Sequence, residues 1–164
     1  MERKILFKAK RIDNGEWVEG YYIYHIKRTP CVFNDCVRPE DEQHVIMRDG
    51  FSDWNMPRNT IQYHIDPKTL CQYTGLTDKN GNKIFENDVV HLFGQDTIRR
   101  YDWKAVVEYG NPNSLYSWGY QLKPIGEFEY NRDILFWIGM EEVNIYCEVI
   151  GNIFDNPELL GGGE

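Results

Sequence analysis

The chain has 164 residues, of which 41% are hydrophobic and 15% aromatic, so it can bury a core and is not a disordered polymer. No run reaches the ~18 apolar residues that a membrane-spanning helix requires. The first residues offer no apolar stretch for a signal peptide, so we expect a protein of the cytoplasm without membrane association.

The net charge of −8 arises from the C-terminal part of the chain. Residues 105–164 hold Lys123 and Arg132 against ten acidic residues, whereas residues 1–104 hold 16 residues of each sign. An acidic surface repels phosphate backbones, so general nucleic-acid binding is disfavoured.

The four cysteines are interpreted as reduced, because no secretory signal accompanies them. Cys71 and Cys147 are predicted to be buried apolar groups. Cys31 and Cys36 are five residues apart and no second close Cys/His pair accompanies them, so a structural zinc is the less favoured alternative. We expect neither metal nor cofactor.

The first predicted elements are the two strands of a hairpin. Residues 5–10 alternate as a strand, residues 13–16 read Asp-Asn-Gly-Glu and are typical of a tight turn, and the chain returns through residues 17–26. In the returning strand Tyr22 and Tyr24 share one face and Tyr21 the other. A strand that is apolar on both faces is either covered on both sides or placed at a protein interface.

Residues 27–66 are predicted to contain a loop over 27–43, short strands over 44–47 and 61–65, and an irregular segment over 51–59. Trp54, in the irregular segment, is either a recognition aromatic or the cap of a small satellite core. Asp66 and Pro67 indicate the start of a short helix that continues to about Cys71.

From Tyr73 onward two tight turns, over 78–81 and 86–88, are separated by only three or four residues, which is typical of a small barrel with short strands. Further strands are predicted over 103–109, 115–123 and 143–153, and the apolar run 134–138 is a strand or a short helix. We therefore predict a mainly β protein. An N-terminal antiparallel sheet (residues 1–66) packs on a small C-terminal SH3-like β-barrel (residues 67–160), with one or two short helices; whether the two form one compact unit is left open.

Two stretches resemble the YopX family of bacteriophage and prophage proteins. They are residues 72–90, QYTGLTDKNGNKIFENDVV, and residues 148–160, EVIGNIFDNPELL, with a weaker similarity over residues 7–20. The family usually carries Gly where Asn87 stands, and Asn also tolerates the left-handed conformation. The resemblance implies a mobile-element origin and the cytoplasm of a bacterial host, and it supplies no catalytic residues.

The candidate catalytic residues lie around the first of these stretches: Asp78, Glu86, Asp88 and His91. Carboxylates that converge in a cleft could hold Mg²⁺ for phosphodiester hydrolysis. All three acids occupy turn positions, where such side chains hydrogen-bond to nearby backbone, so we interpret them as structural. Asp88 is expected to accept backbone N–H bonds within its own turn.

We predict a non-catalytic phage accessory protein that acts through contacts with a phage or host protein and forms homo-oligomers. The candidate interface residues are Tyr21, Tyr22, Tyr24 and Trp54. One alternative is the metal-dependent phosphodiester hydrolase. The other is a single-stranded nucleic-acid-binding module that uses Arg99, Arg100 and Trp103, where basic and aromatic residues interleave.

Overall fold

The structure is a computed structural model that describes residues 4–29, 37–95, 98–110, 118–126, 133–138 and 144–161. The chain divides into two compact units, Met1–Gln72 and Tyr73–Glu164. The fold is mainly β, and every strand pair in the described ranges is antiparallel. None of the described helices has the length and apolar character that crossing a bilayer requires.

The N-terminal unit is built on four strands that lie side by side in the order β4-β3-β2-β1. The strands are β1 (Phe7–Lys10), β2 (Trp17–Ile26), β3 (Glu42–Asp49) and β4 (Thr60–His64). The predicted tight turn joins β1 to β2, and Gly15 takes the positive φ of 72° that the turn requires. The edge of β1 that faces away from β2 pairs with the first residues of β5 (Cys71–Thr77).

The core of this unit lies on one face of its sheet. Alternate residues along the chain are buried there, and half-buried hydrophobic residues surround them. The buried members are Ala9, Val18, Ile46 and Ile65, and Phe7, Tyr22, Tyr63 and Leu70 pack against them. The ends of β1 and β4 also meet, since the N–H of Ile12 donates to the carbonyl of His64 (3.0 Å) and the N–H of Asp66 to that of Lys10 (2.8 Å).

The C-terminal unit contains a four-stranded sheet in the order β10-β7-β8-β9. Its strands are β7 (Asp88–Gln95), β8 (Arg100–Gly110), β9 (Gly119–Pro124) and β10 (Asn144–Asn152). The rest of β5 pairs with β6 (Lys83–Phe85), and the short helix α1 covers Ile134–Ile138. One face of the sheet is buried; there Trp103 and Trp137 meet edge to face, with ring centroids 5.1 Å apart, among Leu92, Val107 and Leu122.

Several sequence-based expectations need correction. The described strands form two sheets and no closed barrel, so the SH3-like barrel is not confirmed; β7 to β10 form an open sheet instead. The helix predicted from Pro67 to about Cys71 is a single 3-10 turn over Pro67–Thr69, because β5 begins at Cys71 and pairs with β1. Residues 39–42, predicted as loop, hold the 3-10 turn Pro39–Asp41 and the start of β3.

Both described cysteines, Cys71 and Cys147, are buried, as predicted, and they form no disulfide with each other. Burial, together with the negative charges of Asp78 and Glu148, raises the pKa of the Cys147 thiol to about 12. Since a thiolate is the reactive form of cysteine, Cys147 is chemically inert at neutral pH. Cys31 and Cys36 lie outside the described residues.

Candidate functional site

The turn that follows β5 is organised by one carboxylate. Oδ1 of Asp78 accepts the backbone N–H groups of Asn80 (2.9 Å) and Asn82 (2.8 Å). Oδ2 accepts the Asn82 side-chain amide (3.1 Å) and the backbone N–H of Val149 in β10 (3.2 Å). In all four hydrogen bonds a carboxylate oxygen of Asp78 is the acceptor, so these bonds favour the ionised form of the side chain.

The pKa of Asp78 reflects two opposing effects. Burial raises it, while the hydrogen bonds from the Val149 backbone and from Asn82 and Asn80 lower it, and the net result is a pKa below the ordinary value. A carboxylate with several backbone N–H donors is stabilised in its charged form. Asp78 therefore stays ionised at neutral pH and is not a general acid.

The neighbouring residues of this turn also bind β10. The N–H of Lys79 donates to the carbonyl of Cys147 (3.0 Å), and its ammonium lies 2.9 Å from a carboxylate oxygen of Glu148. The Asn80 amide donates to the other oxygen of the same carboxylate (3.2 Å). Hydrogen bonds and an ion pair thus hold the turn over residues 78–82 against the outer edge of β10.

The second turn, between β6 and β7, has the left-handed residue that its sequence predicts. Asn87 has a φ of 65°, its N–H donates to the carbonyl of Val107 (2.7 Å), and its own carbonyl accepts the N–H of Ile153 (3.1 Å). The buried Asp88 accepts the N–H of Phe85 through Oδ2 (2.8 Å). This is the turn-forming role expected of Asp88.

The end of β10 makes a comparably tight turn. The side-chain oxygen of Asn152 accepts the N–H groups of Phe154 and Asp155, both at 2.9 Å. A Cβ on Gly151 would overlap the side-chain oxygen of Asn156, so only glycine fits there without displacing that side chain. The two stretches that resemble the YopX family therefore contact each other and hold the C-terminal unit together.

The four candidate catalytic residues are not gathered into one cleft. His91 pairs with Asp102 on the neighbouring strand, with 2.8 Å between Nε2 and Oδ1, and this contact lowers the pKa of Asp102. Asp78 and Asp88 are buried in separate turns. No group of three or more His, Cys, Asp or Glu side chains among the described residues is placed to hold a metal ion.

The candidate nucleic-acid residues are split between surface and core. Arg99 and Arg100 are exposed. Trp103 is 3% exposed and packs on Trp137, so its ring offers no face for a base to stack on. Of the three residues, only the arginines lie on the surface.

The four candidate interface residues differ in how much of each side chain is exposed. Tyr21 and Tyr24 are about half exposed, on opposite faces of β2, and Trp54 is almost fully exposed in the loop before β4. Tyr22 packs on the core of its unit, and its hydroxyl lies 2.7 Å from Nδ1 of His44. Burial raises the pKa of Tyr22.

Further exposed apolar residues lie close to Trp54 in the sequence, and the sequence alone did not single them out. Phe51 and Met56 in the same loop are strongly exposed, and Ile61 in β4 is partly exposed. We name Phe51, Trp54, Met56 and Ile61 the apolar segment. Its signal in the sequence is an apolar residue every two or three positions over residues 51–56, a stretch without strand or helix periodicity, followed by Ile61 at the start of a predicted strand.

The fold and these turns define a two-unit antiparallel β protein whose recurring carboxylates and asparagines shape the backbone. The chain belongs to the YopX family: the family model described as "YopX protein" matches residues 6–161. No curated protein matches the chain. Among solved structures, it is similar to protein EF1440 from Enterococcus faecalis, with 19% sequence identity, 97% of this chain and 99% of that chain covered, and a TM-score of 0.45.

Proposed function

We propose that this protein is a non-catalytic phage or prophage accessory protein that self-associates and acts through protein contacts in the bacterial cytoplasm. The observation that carries the proposal is the exposure of large apolar side chains in the N-terminal unit. Trp54 is 94% exposed and Phe51 89%, with Met56 at 64% and Tyr21 at 53%. Clusters of exposed apolar side chains are typical of protein interaction sites.

The energetics favour an interface over an ordinary surface. Burying a side chain of the size of Phe or Met contributes about 1.5–3 kcal/mol. Association costs about 4–15 kcal/mol in lost freedom of motion, so several such side chains must act together. The apolar segment supplies four of them within eleven residues of chain.

The charge distribution supports self-association through the N-terminal unit. Residues 1–72 hold eleven basic and eleven acidic residues, so all of the net charge of −8 lies in residues 73–164. Two copies can therefore approach through the N-terminal unit without net repulsion.

The turn geometry supports the non-catalytic part of the proposal. The carboxylates of Asp78 and Asp88 accept backbone N–H groups and are buried, which is the role of turn-forming side chains. The alternative of a hydrolase requires these carboxylates to face a substrate. The alternative of single-strand binding loses the stacking platform that Trp103 was predicted to offer.

Sedimentation equilibrium of the full chain over a wide concentration range tests the proposal. We expect a dimer or larger assembly, and we expect Trp54→Ser to raise its dissociation constant about tenfold, which corresponds to about 1.4 kcal/mol. The matched control is Trp118→Ser, because Trp118 is also an exposed tryptophan but lies in the C-terminal unit. A wild-type chain that stays monomeric at the highest concentration would overturn the proposal.

A further inference from the structure

Strand β4 is the outermost strand of the N-terminal unit, and its backbone register shows which groups point away from the sheet. The N–H of Ile65 donates to the carbonyl of His44 (3.1 Å), and the N–H of Gly50 to that of Asn59 (2.6 Å). Hydrogen-bonded and non-hydrogen-bonded pairs alternate along an antiparallel ladder. Residues 59, 61, 63 and 65 therefore bond to β3, and Thr60, Gln62 and His64 direct their backbone groups outward.

One contact confirms this assignment independently. The carbonyl of His64 accepts the N–H of Ile12, which approaches from the side opposite β3 (3.0 Å). The outward groups of Thr60 and Gln62 lie further along the same edge. Apart from the bridge between Arg11 and Ile65 just beyond its end, no strand of the described ranges pairs with β4 on that side.

In the C-terminal sheet, unlike at β4, other segments of the chain contact the outer edges of the outermost strands. The outer edge of β10 receives the turn over residues 78–82, through the bonds of Cys147 to Lys79 and of Val149 to Asp78. The outer strand β9 forms a bridge between Gln121 and Asp133. Proteins also block edges with lysine, proline or inward charges, and β4 contains no Asp, Glu, Lys, Arg or Pro.

We infer that β4 is the docking edge for a second copy of this chain, with the two β4 strands antiparallel around a two-fold axis at Ile61. The inference rests on the self-association proposed above and assigns its surface and register. Thr60 of each copy then lies opposite Gln62 of the other, and their outward N–H and carbonyl groups form hydrogen bonds. The two Ile61 side chains face each other as a non-hydrogen-bonded pair, the closer of the two pair types.

Two features favour a second copy in this register. An axis at Gln62 would place the second strand against His64, whose carbonyl is already bonded to Ile12. An axis at Ile61 confines the outward hydrogen bonds to Thr60 and Gln62, so the carbonyl of His64 is not needed for pairing, and it places the two apolar Ile61 side chains opposite each other. Because β4 carries no charged residue, two copies of it meet without like-charge repulsion, and the loop that precedes it carries the exposed residues Phe51, Trp54 and Met56.

Two substitutions at position 62 test whether the outward edge of β4 forms the dimer interface. Gln62→Pro removes the outward N–H but no bond to β3, and edge strands accept proline at such positions. We expect Gln62→Pro to raise the dimer dissociation constant at least tenfold in sedimentation equilibrium, whereas Gln62→Ala, which keeps the N–H, leaves it within about threefold. Circular dichroism of both variants establishes whether each is folded.

A second measurement tests the register without relying on the proline variant. Opposed residues of a non-hydrogen-bonded pair lie close enough for a disulfide, so Ile61→Cys is expected to form a 61–61 intermolecular disulfide under mild oxidation. Peptide mapping by mass spectrometry identifies the bond, and Ile98→Cys, at an exposed residue of the other unit, is the control.

The outcomes separate the inference from the proposal on which it rests. A wild-type monomer overturns the proposed self-association, and the inference falls with it. A wild-type dimer that tolerates Gln62→Pro as well as Gln62→Ala, and that forms no 61–61 disulfide, overturns the inference alone. A Gln62→Pro chain that is unfolded leaves the decision to the disulfide, whose absence in a dimeric chain also overturns the inference.

Discussion

The carboxylate of Asp78 and the backbone N–H of Val149 form a hydrogen bond of 3.2 Å across 71 residues of sequence. Asp78 lies in residues 72–90 and Val149 in residues 148–160, the two stretches in which the sequence resembles the YopX family. The bond closes the outer edge of β10 and fixes the turn that follows β5. The two stretches are therefore joined by contacts that build the C-terminal unit.

Removal of this carboxylate should destabilise the protein. Asp78→Ala takes the acceptor away from three backbone N–H groups, and hydrogen bonds to charged groups contribute about 1.5–3 kcal/mol each. We expect a loss of about 3 kcal/mol in the free energy of unfolding, measured by urea denaturation. Asp49→Ala, which breaks an exposed ion pair with Arg58, serves as the control and should cost below about 1 kcal/mol. Equal stability of Asp78→Ala and the wild type would contradict the structural role.

The stability of the protein should fall in acid, in part through Asp78. Its pKa in the folded state is below the ordinary value of 3.8, so the unfolded chain binds the proton more readily. The contribution is complete above pH values near 3.8 and is lost as the pH falls through the folded-state pKa. The hydrogen bond from Lys79 lowers the pKa of Glu148 and acts in the same direction.

Urea denaturation between pH 7 and pH 2 measures this dependence. The wild type should lose stability more steeply with falling pH than Asp78→Asn, whose side chain does not titrate. Parallel curves for the two proteins would show that Asp78 has the same pKa folded and unfolded.

Position 87 offers a test of backbone strain. Asn87 has a φ of 65°, a conformation that costs most residues about 1–2 kcal/mol and costs glycine little. Asn87→Ala should therefore lower the free energy of unfolding by about 1 kcal/mol, and Asn87→Gly should leave it unchanged within about 0.5 kcal/mol. Differential scanning calorimetry of the three proteins suffices, and an alanine variant as stable as the glycine variant would refute the strain.

Gly151 tests the close approach of β10 to the residues that follow it. A Cβ at this position would overlap the Asn156 side-chain oxygen and lie 3.0 Å from Cδ1 of Leu159. Gly151→Ala should therefore cost about 1–3 kcal/mol in thermal or urea unfolding. The control is Gly119→Ala in β9, where no atom lies within 4 Å of the added Cβ. The prediction fails if both substitutions change the stability by the same amount.

Short-range features of the fold could be predicted because their cause lies within a few residues. The turn over residues 13–16, the left-handed Asn87 and the turn-forming Asp88 all follow from the backbone preferences of Asn, Asp and Gly. The degree of burial of Trp54 and Trp103 could not be predicted in this way. Both were candidate recognition residues, yet Trp54 is almost fully exposed and Trp103 is in the core.

The candidate site was predictable only in part for the same reason. Tyr21, Tyr24 and Trp54 were singled out and are exposed, whereas Phe51, Met56 and the outward edge of β4 were not singled out. Whether a strand lies at the margin of a sheet depends on which distant segments pair with it. The open C-terminal sheet, in place of a predicted barrel, is a failure of this kind.

By itself, the sequence determined the β class of this protein, its tight turns, its hairpin and its membership of the YopX family, because these depend on local backbone energetics and on residue order. Only the tertiary structure decided that β4 ends its sheet, that Trp103 is buried and that Asp78 reaches Val149. Those outcomes depend on contacts between segments far apart in the chain, where packing and the pairing of backbone groups outweigh local preference.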